Sequence, residues 1–214
     1  MLSRKFATFP STVIHSVSIM TDTLHALTSR RSAKFLRGPG PDAQTLRKMF
    51  QAAACAPDHG ALRPWRYVVI EGPQAIGRLA DMAIGAVRAS GDPRMTDEKE
   101  KAVRQWLAEI PLIVAVAQKI DHGGRIPEQE QLLAAGASVM NLLNAAHLSG
   151  FGAFWSTGLG TYVETVQEAL GFDALDHKFL GFLAIGTPAA DSGPARRPEP
   201  ESFVRVWTGE AVGA

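Results

Sequence analysis

A single cysteine, Cys55, stands in the whole 214-residue chain. No intramolecular disulfide can form, so the fold must rest on its apolar core, and a reducing compartment suits it. Charge of neither sign dominates: 22 Lys and Arg face 21 Asp and Glu, for a formal net charge of +1. A nucleic-acid surface wants a clear basic excess, so no nucleic-acid partner is expected. No apolar run is long enough to cross a bilayer, so no membrane partner is expected and the cytoplasm is the expected location. Several familiar site signatures are missing as well. No Gly-x-Gly-x-x-Gly opens a helix and no P-loop Gly-Lys-Ser/Thr occurs; Gly158-Leu159-Gly160 is too short for a dinucleotide fingerprint. The histidines are scattered without zinc-ligand spacing, so no metal site is expected. No Gly-x-Ser-x-Gly elbow presents a nucleophilic serine.

What the chain does have is apolar material for one core. Hydrophobic residues make up 46% of it, and its length suits one domain. Residues 1–20 carry Arg4, Lys5 and several Ser and Thr, with no acid before Asp22. A transit peptide has that bias, yet arginine is scarce, so the segment reads as a disordered or non-native extension with Met20 as the natural start. Residues 21–214 are then expected to be one domain ending in an extended arm.

Thr21-Asp22-Thr23 offers caps for a short helix that stops near Ser29. Gly38-Pro39-Gly40-Pro41 predicts a turn, and Asp42 a cap for a helix carrying Leu46, Met49, Phe50 and Ala53 on one face and ending at Pro57. Trp65 to Ile70 predicts a strand. Helices follow from Pro73 to Val87 and from Thr96 to Glu109, separated by Gly91-Asp92-Pro93. Leu112 to Ala117 is nearly pure apolar, as a central strand is, and Gln118 to Pro127 reads as a polar loop. Gln129 to Ser149 predicts the longest helix, apolar on more than one face, so it must be buried on several sides, by the core or by a second copy. Ala153 to Ser156 and Phe179 to Ile185 predict strands, and Val163 to Leu170 a helix. The prolines at 188, 194, 198 and 200 keep a helix out of the stretch from Thr187 onward. Helices outnumber strands without βαβ alternation, which points to the α+β class.

The chemistry concentrates in Arg30-Arg31-Ser32-Ala33-Lys34. Guanidinium forks and a short hydroxyl are what a phosphate needs, though such a run is as readily a solvated basic loop. On an extended segment residues two apart face the same way, so Arg30, Ser32 and Lys34 are expected to line one wall. His59, within Ala56-Pro57-Asp58-His59, is either a site residue or a turn histidine satisfied by Asp58 or backbone. Trp155 is large enough to wall a planar ligand but equally suits a core.

These segments together resemble the nitroreductase family, and most closely its compact members. The Arg-Arg-Ser opening, Ala56-Pro57-Asp58-His59, Pro64-Trp65, Ile110-Pro111-Leu112, the run from Gly150 to Trp155 and the run from Phe182 to Pro188 occur in the family's order. The resemblance implies a nitroreductase-like fold, with a mixed, mainly antiparallel sheet flanked by helices, in an intertwined homodimer. It implies FMN in each interface groove and NAD(P)H as transient electron donor. The implied reaction is ping-pong hydride transfer through flavin N5 to a small nitroaromatic or quinone-like acceptor. Arg30, Arg31 and Ser32 fall on the FMN-binding opening motif, and Lys34 on a cation beside the flavin pyrimidine edge. Cys55 and His59 fall on positions that reach the flavin from the partner subunit. Trp155, Ser156 and Thr157 fall on the segment lining the isoalloxazine. Arg196 resembles a phosphate-binding cation of the arm. The scheme requires no acid–base side chain, so no catalytic residue is named. The alternatives are a specialised flavin dehydrogenase or dehalogenase relative, and a non-catalytic flavin carrier.

Overall fold

The apolar run predicted as a central strand is the centre of the sheet. It forms β3 (Leu112–Lys119), buried at every position except Lys119. The computed structural model describes residues 24–191, 193 and 196–209. The caps expected at Thr21 to Thr23, and the extension 1–20, lie outside them; helix is present at 24–29. The other elements are β1 (Leu36–Arg37), α1 (Ala43–Ala53), β2 (Trp65–Glu71), α2 (Gly72–Ala89), α3 (Asp97–Glu109), α4 (Glu128–Leu148), β4 (Gly152–Ser156), α5 (Glu164–Ala169) and β5 (His177–Pro188), with 3-10 turns at His59–Ala61 and Pro200–Ser202.

The sheet runs β1-β5-β3-β2, and β4 also pairs with β5. Each of these ladders is antiparallel. Strand alternation sorts the core into two layers. Ile113, Ala115 and Ala117 of β3, with Phe182 and Ala184 of β5, pack among buried residues of α2, α3 and α5. Leu112, Val114 and Val116, with Leu183 and Ile185, pack among those of α1 and α4. The chain is thus an α+β sandwich with helices on both sheet faces, as expected.

Local chemistry explains most boundaries. The Asp42 carboxylate accepts the Thr45 amide at 2.7 Å and starts α1, while Thr96 caps α3 through Lys99. Helix α1 closes at Ala54, ahead of Pro57, because the chain leading into a proline leaves helical geometry. Strand β3 continues through Gln118 and Lys119, so the polar loop begins at 120 rather than 118; Gln118 is fully buried despite its amide. Strand β5 extends to Pro188, because Thr187 and Pro188 pair with Arg37 and Leu36 of β1, a two-residue strand too short to leave a periodic signal. No α-helix follows it among the described residues.

Within one copy, helix α4 meets its expected burial only in part. One face is buried through Ala135, Val139, Leu142 and Ala146, but Leu133 is 66% and Met140 42% exposed. A single copy of the chain covers this apolar helix on one side only.

Candidate functional site

The Arg30 stretch is held beside β4 by backbone. Ala33 N–H donates to the Ala153 carbonyl at 3.0 Å, and Ser32 bridges Ala153. Gly152 permits this approach, since a Cβ there would lie within 2.9 Å of Ala33 and of Pro188 and still nearer Leu36. Ala33 is buried, and Ser32 and Lys34 on either side of it are exposed.

Arg30 and Arg31 line a cavity of about 550 Å³ that His147, Gly152, Ala153 and Asp191 also border. Arg31 is already committed to backbone: its guanidinium donates to the carbonyls of Ser29 at 2.5 Å, Arg30 at 2.9 Å and Gly193 at 3.2 Å. Arg197 donates to the Arg30 carbonyl at 2.9 Å. Arg30 itself is half-buried, and its Nε has no hydrogen-bond partner among the described residues. Burial, then the charges of Arg197 and Arg31, push its pKa below the usual arginine value. No ion pair joins any of these three arginines to a carboxylate among the described residues. Three guanidinium groups crowded together, one with an orphaned buried donor, fit a multiply charged oxyanion such as a phosphate ester.

Ser32 and Lys34 do not border that cavity, so the single wall expected of Arg30, Ser32 and Lys34 does not enclose it. The Lys34 carbonyl accepts the Trp106 indole N–H at 2.8 Å, and its Nζ lies 5.9 Å from the Phe35 ring centre.

The far end of β4 carries Trp155, Ser156 and Thr157. At 3.3 Å per residue, Ser156 lies roughly 13 Å along the strand from Gly152. Trp155 is part-exposed, and its indole N–H donates to the Leu180 carbonyl at 2.9 Å. That carbonyl is free because the β3–β5 register slips between Val116 and Ala117, where Gly181 takes φ 107°. The Ser156 hydroxyl accepts the Gly158 amide at 3.2 Å. Thr157 is exposed.

Cys55 and His59 lie elsewhere. The exposed Cys55 thiol donates to the Gln51 carbonyl at 3.3 Å. His59 meets Glu130, with Nδ1 2.6 Å from Oε2. Its partner is not Asp58, whose carboxylate turns back to accept the Arg63 amide at 2.6 Å. Glu130 opens α4, and His147 near the Arg30 cavity closes it. Seventeen residues at 1.5 Å rise separate the two by about 25 Å. Within one copy, no small molecule touches both His59 and Arg30.

Sequence reasoning missed Arg197, His147 and Glu130. It pointed to Arg196; both arginines sit together in a proline-rich arm, and only the fold distinguishes the one that reaches Arg30. Glu130 left no signal, because its partner is 71 residues away.

An oxyanion niche at the entry to a mainly antiparallel sandwich, with an apolar helix half covered, defines a class. The profile described as "Nitroreductase family" matches residues 27–187, and the chain belongs to that family, whose members are oxidoreductases. It is 35% identical over 187 residues to "Putative NAD(P)H nitroreductase YdjA" of Escherichia coli strain K12, covering 87% of this chain and 100% of that protein. Among solved structures, a nitroreductase-like family protein from Bacillus cereus superimposes with a TM-score of 0.77 at 18% identity, covering 96% of this chain and 100% of that one. A Desulfovibrio desulfuricans protein, described as a "putative nitroreductase in complex with fmn", gives a TM-score of 0.66 at 24% identity, covering 86% and 96%. These last two likenesses speak to the fold.

Proposed function

We propose that the protein is an FMN-dependent NAD(P)H oxidoreductase of small nitroaromatic or quinone-like acceptors, a cytoplasmic homodimer with residues 21–214 as one domain. The observation that carries the reading is the Arg30 niche, with its orphaned Nε and three guanidinium groups unmatched by a bonded carboxylate. Its place on the family's opening motif makes the FMN phosphate the anion of choice. Bound there, FMN would supply the redox chemistry, hydride transfer between a nicotinamide donor and the acceptor by the ping-pong route.

The chain's own residues bind and orient. Arg30, Arg31 and Arg197 hold the phosphate, and Ser32, which does not border the Arg30 cavity, is assigned to the cofactor beyond its rim. Trp155, Ser156 and Thr157, roughly 13 Å along β4, suit the ring end of a mononucleotide. The Lys34 ammonium is assigned to the pyrimidine edge, where a cation favours the negative charge that reduction brings. Arg196 is not assigned, because it is Arg197 that bonds to Arg30. Cys55 and His59 are assigned to the other copy's niche; for His59 the separation along α4 from Glu130 to His147 supports this, and Cys55 borders no part of the Arg30 cavity. The exposed Leu133 and Met140 of α4 supply an apolar seam for that pairing.

One experiment tests the whole reading. The purified dimer is expected to be yellow, to release FMN on denaturation, to bleach with NADH or NADPH and to recover colour with a nitroaromatic or quinone. Colourless protein that ignores added FMN rejects it. A second reading, a more specialised flavin enzyme, is favoured by 28% identity over 190 residues to a 5,6-dimethylbenzimidazole synthase of Rhodospirillum rubrum. Acceptor profiling separates the two: bleached protein that the nitroaromatic and quinone panel does not reoxidise favours the second, and recovery of colour with that panel favours the first.

A further inference from the structure

Glu130 is bonded to a histidine that the proposed function places at the flavin, and nothing in that function uses Glu130 itself. The pair is over-determined by its surroundings. His59 opens a 3-10 turn whose Gly60 takes φ 76° and sits so close to Ile126 that a Cβ would lie 3.1 Å from its side chain. The Ile126 carbonyl accepts from Gln131 Nε2 at 2.9 Å. Gln131 is buried, and its amide also bonds the Asp121 carbonyl at 3.1 Å and the Asp121 amide at 2.8 Å. Gln131 therefore locks the loop before α4 against the His59 turn, and the residue preceding it in α4 is Glu130. Two segments far apart in sequence meet at one 2.6 Å bond.

An ionised carboxylate only accepts, so Nδ1 carries the hydrogen in that bond. Nε2 has no partner among the described residues, and the His59 side chain is 66% exposed. We propose that Glu130 is a positioning residue: it holds the His59 ring by Nδ1–H, fixes that tautomer, and presents Nε2 as the one working nitrogen to the partner's flavin or to the acceptor over it. The assignment rests on the reading of His59 as a residue of the flavin site. It gives the reaction a defined imidazole nitrogen, one that accepts a hydrogen bond when neutral and donates one when protonated. The exposed pair adds little to stability, so its removal should leave the fold intact.

The test uses Glu130→Ala, which removes the accepting oxygen, and Glu130→Asp, which keeps one, in the FMN-loaded protein. Long-range proton–nitrogen NMR of histidine-labelled protein should show His59 as the Nδ1–H tautomer in the wild type and a shift toward Nε2–H in Glu130→Ala. Acceptor reduction should fall roughly tenfold in Glu130→Ala, the scale for losing the group that orients a ligating histidine, with FMN content unchanged. Glu130→Asp should keep part of the rate. An Nδ1–H tautomer that persists unchanged in Glu130→Ala overturns the inference. If His59→Ala binds FMN and turns over like wild type, the reading of His59 falls and takes the inference with it. If instead His59→Ala is impaired and Glu130→Ala is not, the reading stands and the inference alone fails.

Discussion

Two groups of arginines in this molecule live by opposite rules. Between α2 and α3, Arg88 meets Asp97 at 2.6 Å and Glu100 at 2.8 Å, and Arg104 meets Asp81 at 2.6 Å and Glu100 at 2.8 Å. Side-chain hydrogen bonds, to Asp97 for the one and to Asp81 for the other, push both guanidinium pKa values up. At the chain entry, Arg30 is pushed the other way, by burial and by its neighbours Arg197 and Arg31. The first group is satisfied and lies in water, where an ion pair is worth little. The second is crowded and has no bonded carboxylate among the described residues, and its part-buried Arg30 keeps a donor without a partner, a state that a ligand's negative charge would relieve. Counting arginines would rank the two alike; only their partners distinguish a structural lattice from a ligand niche.

Removing Arg30 should break the comparison most visibly. A hydrogen bond to a charged group contributes about 1.5–3 kcal/mol, so Arg30→Ala is expected to weaken FMN binding by roughly 100-fold. Titration of the apoprotein by quenching of flavin fluorescence measures it. Unchanged affinity would put the phosphate somewhere other than this niche.

How much of this was legible in the sequence depends on how far each cause reaches along the chain. The cap at Asp42 is local and falls where the residue predicts it, and the helix expected from Thr96 starts there, with Thr96 as its cap. Apolar β3 and β5 announce themselves by run length and are the buried heart of the sheet. The Arg30 stretch was legible as phosphate chemistry, and the alternation of exposed Ser32, buried Ala33 and exposed Lys34 follows the extended pattern; what was not legible is a cavity that takes in Arg30 and Arg31 and leaves Ser32 and Lys34 outside its border. His59 was legible as a residue of interest and its partner was not. Asp58 is adjacent and was the natural candidate, yet the turn spends that carboxylate on the Arg63 amide. The bulge at Gly181 that frees a carbonyl for Trp155 arises from the pairing of two strands, and no window along one strand contains it.

Tyr67 stands between the two arginine groups: buried like Arg30, yet fully partnered. Ser138 gives its only hydroxyl hydrogen to the Ala53 carbonyl at 2.9 Å, so the Tyr67 hydroxyl is the donor in their 2.7 Å bond. Burial pushes the phenol pKa from 10.0 up to about 12. The folded value exceeds the unfolded one, so the native state keeps its proton where the unfolded chain loses it. The stability this contributes is whole below pH 10 and is lost as pH rises through about 12. The loss is roughly 2–3 kcal/mol. Denaturant melts at pH 9 and pH 11.5 measure it, and Tyr67→Phe should flatten the difference; an equal loss in that variant would assign the alkaline limb to another group.

Arg197 sharpens the comparison within the niche. It is exposed and bonds a carbonyl rather than filling a buried position, so solvent screens it more than Arg30. Arg197→Ala should weaken FMN binding roughly tenfold, the scale of one screened charge-assisted contact. The loss should shrink as salt is added, whereas that of Arg30→Ala should change less. Equal losses with equal salt dependence would make the two arginines equivalent and remove burial as the distinguishing factor.

The smallest effect is expected where the bonds look best. Arg104 has two carboxylate partners within 2.8 Å, more than any arginine at the niche, yet its environment is solvent. Its removal also leaves Asp81 in water, and the half-buried Glu100 keeps Arg88 as a partner. Arg104→Ala should therefore lower Tm by only about 1 °C and leave FMN affinity untouched. A drop of many degrees would mean that the α2–α3 lattice acts as a cooperative network rather than as separate surface pairs, and the satisfied arginines would then matter more to the fold than their exposure allows. A change in FMN affinity would be the more damaging result. Charge in the α2–α3 lattice would then reach the niche through the molecule's field, and the division between a structural and a binding set of arginines would no longer hold.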